Sequence, residues 1–249
     1  MRFAARSDVG LVRKVNQDGY MTVQKEADIV IASVADGMGG HVAGEVASAI
    51  ALQSLEQTVL QGKLDDQEQL LMDAIVLANK QIYENSIQNP AYSGMGTTIV
   101  ACIASHERVV IAHVGDSRAY LYSASSGISQ LTEDHSLVNE LVKRGQILPS
   151  EATHHPQRHM LTKALGTMEY VSPECLVHTW QAGDILLLCS DGLSGYVDDA
   201  RIEFVLSTDA SLQAKVDTLV DDALHQGGND NITVVAVTMD DETVRRNQP

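Results

Sequence analysis

The sequence predicts an α+β domain in which sheets are covered on their outer sides by pairs of helices. Three observations predict it. Short apolar runs with strand character occur before residue 36, across residues 97–122 and at 183–189, while helical spacing governs 43–60, 71–82 and 202–223. The resulting order is strands, two helices, a block of strands, two helices and a last strand. No repeat, linker or composition break divides the 249 residues, a length sufficient for one substantial core.

Taken in order, residues 2–7 read as a short strand. Residues 8–18 are polar, carry Gly10 and hold no period, so they form a loop ending at Asp18. Tyr20 to Val23 alternate weakly and pair with the apolar run 29–35 across a polar turn at 25–28. Beyond Gly39 and Gly40, the spacing of Val46, Ala47, Ile50, Ala51, Leu55 and Val59 predicts a helix over 43–60. Asp65 or Asp66 then caps a second helix, whose stripe Leu71, Ala74, Ile75, Ala78 and Ile82 ends before Pro90.

From Gly96 the period changes to that of strands. The runs 97–104 and 109–113 flank a polar turn and signal a hairpin, and 119–122 gives another strand. Asp134 is expected to cap a short helix carrying Leu137, Val138, Leu141 and Val142, with Gly145 beyond its end. Residues 146–162 contain two prolines and several histidines without periodicity; irregular segments of this length often serve as lids. A buried strand over 183–189, two helices around 202–206 and 212–223, and a final strand over 232–237 complete the domain. The segment 241–249 is a polar tail.

Composition bounds the function. A formal net charge of −16 disfavours a general nucleic-acid or anionic-membrane surface and is compatible with a cation site. Cys102, Cys175 and Cys189 form no C-x-x-C pair, and Cys102 and Cys189 lie in apolar runs, which predicts core positions. Residues 1–6 lack the apolar region of a signal peptide, and no apolar run approaches the roughly 18 residues that span a bilayer. The cytoplasm is the expected location.

Asp36, Asp116, Asp191 and Asp230 share one context, the boundary of an apolar strand beside glycine or asparagine. One such acid would be read as a turn or cap residue. A set of them suits a hard cation such as Mg²⁺ or Mn²⁺, which takes oxygen ligands, whereas zinc prefers nitrogen and sulfur. Two such cations about 3.5–4 Å apart activate a bridging water and clamp phosphate oxygens. Arg13, in the loop before Asp18, is the candidate for the phosphate, because a guanidinium fork matches its geometry. Other motifs fail. The stretch 37–42 has Val42 where a dinucleotide fingerprint needs glycine or alanine, and Gly192-Leu193-Ser194-Gly195 is one residue short of a nucleophile elbow. His154, His155 and His159 are read as solvated loop residues.

Six stretches then appear in order: Gly10-Leu11-Val12-Arg13-Lys14-Val15-Asn16-Gln17-Asp18, Val34-Ala35-Asp36-Gly37-Met38-Gly39-Gly40-His41, Gly96-Thr97-Thr98, Val114-Gly115-Asp116-Ser117-Arg118-Ala119-Tyr120, Ser190-Asp191-Gly192-Leu193 and Gly228-Asn229-Asp230-Asn231-Ile232-Thr233. Together they resemble the metal-dependent protein serine/threonine phosphatases of type 2C, in their compact bacterial form, over residues 2–238. The resemblance implies a four-layer α-β-β-α sandwich of two central, mostly antiparallel sheets flanked by helix pairs, with the metals at one end. It implies one catalytic domain over 1–240 with a variable flap at 145–165. It implies two Mg²⁺ or Mn²⁺ ions, with Asp36 bridging both and Asp191 and Asp230 on the first. The Gly37 carbonyl would bind the second, with Asp18 acting on that ion through water. A weaker third ion would lie on Asp116 and Asp191, and Arg13 would bind the phosphoryl group.

One departure matters. Many eukaryotic members place a histidine after the Asp-Gly pair as the donor of the leaving-group proton, and here that position is Met38. His41 is the substitute candidate for proton donation or substrate orientation; its rival reading is a structural or solvated residue at a helix start.

The implied activity is hydrolysis of phosphoserine and phosphothreonine in proteins by a metal-bound hydroxide without a covalent phosphoenzyme. The alternatives are a catalytically silent relative that binds a phosphoprotein as a regulator, and a phosphatase acting on small phosphoesters. Expected partners are phosphorylated proteins and a cognate serine/threonine kinase, with type VI secretion control as one setting known among bacterial relatives. Neither nucleic acid nor membrane is expected, and the protein is expected to be a monomer.

Overall fold

A computed structural model describes residues 1–40, 43–153 and 155–239. The readings of His41, His154 and the tail 241–249 lie outside the described residues.

The chain begins with β1 (Arg2–Asp8), a loop, and the hairpin of β2 (Asp18–Glu26) and β3 (Ile29–Met38). Two long helices follow, α1 (Ala43–Gln61) and α2 (Gln67–Gln88), then one 3-10 turn at Pro90–Tyr92. The middle block comprises β4 (Gly96–Thr97), β5 (Ile99–Ala104), β6 (Arg108–Val114), β7 (Arg118–Ser123) and β8 (Gly127–Gln130). Short helices α3 (Leu137–Lys143) and α4 (Pro149–Ala152) precede β9 (Glu174–Thr179) and β10 (Ile185–Cys189). The chain then runs through α5 (Asp191–Ser194), α6 (Asp199–Ser207) and α7 (Leu212–His225) into β11 (Ile232–Thr238).

Two sheets result, one in the order β1-β11-β10-β7-β8 and the other β2-β3-β5-β6-β9, with β4 added against β3. Alternation along the strands assigns each face. On β3, Val30, Ala32 and Val34 face the other sheet, where Leu186 and Leu188 of β10 and Val235 and Val237 of β11 meet them. Ile31 faces the opposite way, into a core with Leu55 of α1 and Leu71, Ile75 and Ile82 of α2. Leu187 of β10 and Val234 of β11 point outward against Ile202 of α6 and Val216, Leu219 and Val220 of α7. The layers are therefore helix, sheet, sheet, helix, as the resemblance implies. Complete burial of each large aliphatic side chain is worth about 1.5–3 kcal/mol, so the three cores carry most of the stabilisation.

Cys102 and Cys189 are buried, as their apolar runs predict. Asp66 caps α2 by accepting from the Gln69 amide. The cap of α3 differs from expectation: it is Ser136, whose hydroxyl accepts from the Asn139 amide, while Asp134 is held by Arg118. Strands β8 and β9 have no counterpart in the sequence reading, because both are partly exposed edge strands without an apolar run to mark them.

The antiparallel pairing brings six strand ends to one end of the sandwich. Asp18, at the start of β2, lies directly across from Asp36 near the end of β3. The end of β6 pairs with the start of β5, and the end of β10 pairs close to the start of β11.

Candidate metal centre

Asp36 is held through its backbone. Its amide donates to Thr98 Oγ1 at 3.0 Å, and its carbonyl accepts from the Thr98 amide and the Thr97 hydroxyl, each at 2.8 Å. The carboxylate is thus left uncommitted by the local main-chain network. Its neighbour Gly37 permits close packing: a Cβ there would stand 2.1 Å from the Gly44 carbonyl oxygen of α1.

Asp18 belongs to the same sheet but is tied to the other. Its Oδ2 accepts from Ser190 Oγ at 2.7 Å, and that hydroxyl accepts from the Thr233 amide at 3.0 Å. Asp191 opens α5 immediately after Ser190. Asp230 precedes β11; its Oδ1 accepts from the Asn231 amide at 2.9 Å, and its Oδ2 accepts from Arg13 Nη2 at 2.8 Å. Asp116 lies in the crossover from β6 to β7.

An open cleft of about 460 Å³ is lined by Arg13, Asp36, Gly37, Asp116, Asp191 and Asp230, together with Met38 and His159. Asp18 stands apart from that lining, yet its charge reaches Asp36. Burial, together with the charges of Asp191 and Asp230, pushes the Asp18 carboxyl up to about 7 against the opposing hydrogen bond from Ser190. Burial, then the charges of Asp18, Asp191, Asp116 and Asp230, raises Asp36 well above the usual carboxylate range. Asp116 is pushed up to about 7 by burial, then by Asp191 and Asp134.

This arrangement fits a divalent cation. The converging donors are oxygens, as hard cations require. Asp18 Oδ1 is buried with no hydrogen-bond partner, so a polar atom is left for a ligand or its water to satisfy. Mutual repulsion among these carboxylates is the charge imbalance that a cation relieves.

The structure therefore brings together Asp18, Asp36, Gly37, Asp116, Asp191, Asp230 and Arg13. Arg13 does not project freely into the cleft; it is engaged with Asp230 and, at 3.4 Å, with the Asn229 carbonyl. His41 lies outside the described residues, and Met38, which does line the cleft, has no proton to give. His159 is exposed, as its solvated reading expects, but it also lines the cleft. Its side chain is half-exposed, with its Nδ1 3.7 Å from Asp191 Oδ2, and the nearby Asp191 carboxylate raises its pKa.

Asn231 has a role that the sequence reading did not assign. Its Nδ2 donates to the carbonyls of Val9 and Val15, and its Oδ1 accepts from the Gln17 amide. One buried side chain thereby fixes the loop that carries Arg13. Its sequence signals were its place after Asp230 and in the last of the six stretches, and neither points to partners so distant in the chain.

Comparisons with known proteins point to one family. The model of the protein phosphatase 2C family matches residues 12–237. A serine/threonine phosphatase stp of Listeria monocytogenes is 41% identical over 94% of both chains. Protein phosphatase PhpP of Streptococcus pneumoniae is 37% identical, covering 97% of this chain and 99% of its own. Among solved structures, the catalytic domain of serine threonine protein phosphatase PstP in complex with two manganese ions superposes with a TM-score of 0.85 at 37% identity, over 96% of this chain and 98% of that one.

Proposed function

The chain belongs to the protein phosphatase 2C family, and from that premise we propose how its residues carry out hydrolysis. It is a metal-dependent serine/threonine protein phosphatase. The finer reading assigns two Mn²⁺ or Mg²⁺ ions to Asp36, Asp191, Asp230 and the Gly37 carbonyl, with Asp18 acting on the second through water. Asp116 and Asp191 would hold a weaker third. The observation that carries this reading is the convergence of carboxylates from both sheets on one cleft, with Arg13 at its rim.

When bound, the divalent cations supply Lewis-acid polarisation of the phosphoryl group and activation of a water. The chain's own residues supply placement. Thr97 and Thr98 fix the Asp36 backbone, and Ser190 orients Asp18. Asn231 holds the loop of Arg13, whose guanidinium fork binds phosphoryl oxygens and orients the ester toward the carboxylate cluster. Acidic crowding makes the cation-free cleft hostile to a phosphate dianion, so substrate binding is tied to cation occupancy. With Met38 after Asp36-Gly37, the leaving alkoxide takes its proton from a water in the cleft or from His41.

Residues 1–240 act as one catalytic domain, with 145–165 as the flap. The partners are phosphorylated proteins supplied by a serine/threonine kinase, and the proposed setting is a monomeric cytoplasmic enzyme, with type VI secretion control as one such pathway. Among the described residues, no helix is long and apolar enough to cross a membrane.

Turnover of a phosphothreonine peptide with Mn²⁺ or Mg²⁺, against a sugar phosphate, tests the assignment. Activity on the peptide, loss with chelator and loss in Asp36→Ala are expected. Full activity in Asp36→Ala and Asp191→Ala would overturn the site.

A further inference from the structure

Outside the cleft, His113, His135 and Glu174 place possible ligand atoms within 4.8 Å of one another. Their hydrogen bonds decide what they do. The Gly115 amide donates to His135 Nδ1 at 3.0 Å, so that nitrogen is unprotonated and the neutral ring carries its proton on Nε2. Nε2 then donates to Glu174 Oε1 at 2.8 Å, where Lys163 Nζ also donates at 2.9 Å. A cation on Nε2 would force the proton to Nδ1, facing the Gly115 N–H, and would stand beside the Lys163 ammonium. The group is a hydrogen-bond chain rather than a cation site.

The chain ends at the turn before Asp116. His135 grips Gly115 twice: the ring accepts from its amide, and the His135 amide donates to its carbonyl at 3.0 Å. Gly115 has φ +110, and a Cβ there would meet Thr98 Cβ at 2.6 Å. Thr98 is the residue that receives the Asp36 amide, and its hydroxyl lies 2.7 Å from Ser117 Oγ. The turn is thus wedged between the Asp36 support and His135. On its other side His135 meets the stem of the flap. Its carbonyl accepts from the Thr162 amide at 2.8 Å, and Ser136 bridges to Leu161. His113, 1% exposed, stacks on the His135 ring at 4.8 Å between centroids and 15° between planes, which fixes the ring's plane.

We propose that His135 is a positioning residue: its Nδ1 fixes the Gly115–Asp116 turn so that the Asp116 carboxylate is presented to the cleft, and its main chain joins that turn to the flap stem. The proposal rests on the reading of Asp116 as a cation-holding carboxylate.

The test uses His135→Ala, His135→Asn, His135→Gln, Asp116→Ala and the His135→Ala/Asp116→Ala double variant. Each is followed by Mn²⁺ calorimetry without substrate, phosphopeptide kinetics across Mn²⁺ concentrations, and thermal melts. An asparagine Oδ1 stands where the imidazole Nδ1 stood, so His135→Asn is expected to keep the weaker Mn²⁺ affinity and kcat/KM within about threefold of wild type. His135→Ala and His135→Gln are expected to lose about tenfold in both. All three lose the stack on His113, so their melting temperatures fall together and the kinetic split is not a stability effect. In the Asp116→Ala background, His135→Ala adds no further loss. Should His135→Ala not fold, the Asn against Gln comparison decides. The proposal is overturned if His135→Asn is as impaired as His135→Gln, or if the double variant shows multiplied losses. A silent Asp116→Ala also overturns it, while leaving the phosphatase assignment to stand on Asp36→Ala.

Discussion

Arg13 Nη2 donates to Asp230 Oδ2 at 2.8 Å, so the candidate phosphate-binding cation is paired with one of the candidate metal-binding anions. Both functions share one electrostatic ledger. A phosphate entering the cleft competes with Asp230 for the guanidinium, while a cation competes with Arg13 for the carboxylate. Arg13 is half-exposed, and an ion pair at such a position contributes only about 0–1 kcal/mol to stability. Its removal should therefore spare the fold and damage substrate binding. Arg13→Ala is expected to lower kcat/KM for a phosphopeptide by about 10²-fold, mostly through KM. Arg13→Lys should recover only part, because a point charge lacks the fork. Steady-state kinetics at saturating Mn²⁺ measures this, and an unchanged KM in Arg13→Ala would contradict it.

Cation removal should make stability fall with pH. Asp18 and Asp116 have folded-state pKa values of about 7 against an ordinary 3.8. The folded state thus holds more protons than the unfolded state between those values, and stability decreases as pH rises. The contribution is fully present below 3.8 and lost as pH passes through about 7. Glu174, lowered from 4.5 to about 2 by its hydrogen bond to Lys163, acts with the opposite sign in a lower window. His113, lowered by burial to about 4, and His135, also lowered by burial, act with the opposite sign between pH 4 and 6.5, but they do so with or without a cation. The acids are therefore isolated by the difference between Mn²⁺-loaded and chelator-treated protein, which is expected to widen by on the order of a few kcal/mol from pH 4 to 7. Paired thermal melts across that range decide, and a difference independent of pH would refute the crowding argument.

Gly37 leaves no room for a side chain. Gly37→Ala places a carbon against the Gly44 and Gln17 carbonyls, at 2.1 and 2.6 Å before relaxation. Backbone must shift, at a cost of about 1–3 kcal/mol, and the carbonyl of residue 37 shifts with it. Loss of activity should exceed what the fall in melting temperature explains. Wild-type Mn²⁺ affinity in this variant would remove the Gly37 carbonyl from the site.

Asn231 can be tested independently of any cation. Asn231→Ala breaks its bonds to Val9, Val15 and Gln17, three part-buried hydrogen bonds worth about 1–3 kcal/mol together. The expected signature is a raised phosphopeptide KM and faster amide hydrogen exchange in residues 9–17, with exchange in α2 unchanged. Equal acceleration in both segments would mean a general loss of stability instead.

These expectations show what the sequence made legible and what it did not. Strand-end acids beside glycine or asparagine are local patterns, so Asp36, Asp116, Asp191 and Asp230 could be named before any pairing was known. The long helices were legible from periodicity, and the sandwich came from the family resemblance. What escaped depends on partners distant in sequence. Ser190 reaches Asp18 across 172 positions, and Asn231 reaches Val9 across 222. The cap of α3 was misassigned because Asp134 and Ser136 are both competent caps, and only the tertiary position of Arg118 removes Asp134 from the choice. The approach of the exposed His159 to Asp191 has no signal in the sequence, because an irregular segment gives no clue to which acid its side chains will meet.

The acids come from both layers of the sandwich: Asp18 and Asp36 from one sheet, Asp191 and Asp230 from the other, and Asp116 from the strand-to-strand passage between them. An ion shared by these groups, as proposed, would gauge how one layer is registered on the other. Volume changes at Val100 or Leu188, both in the core between the sheets, would slide that register without touching the cleft. Metal affinity would then report on the interior, and a mutation deep in the apolar filling would present itself as a metal-deficiency phenotype.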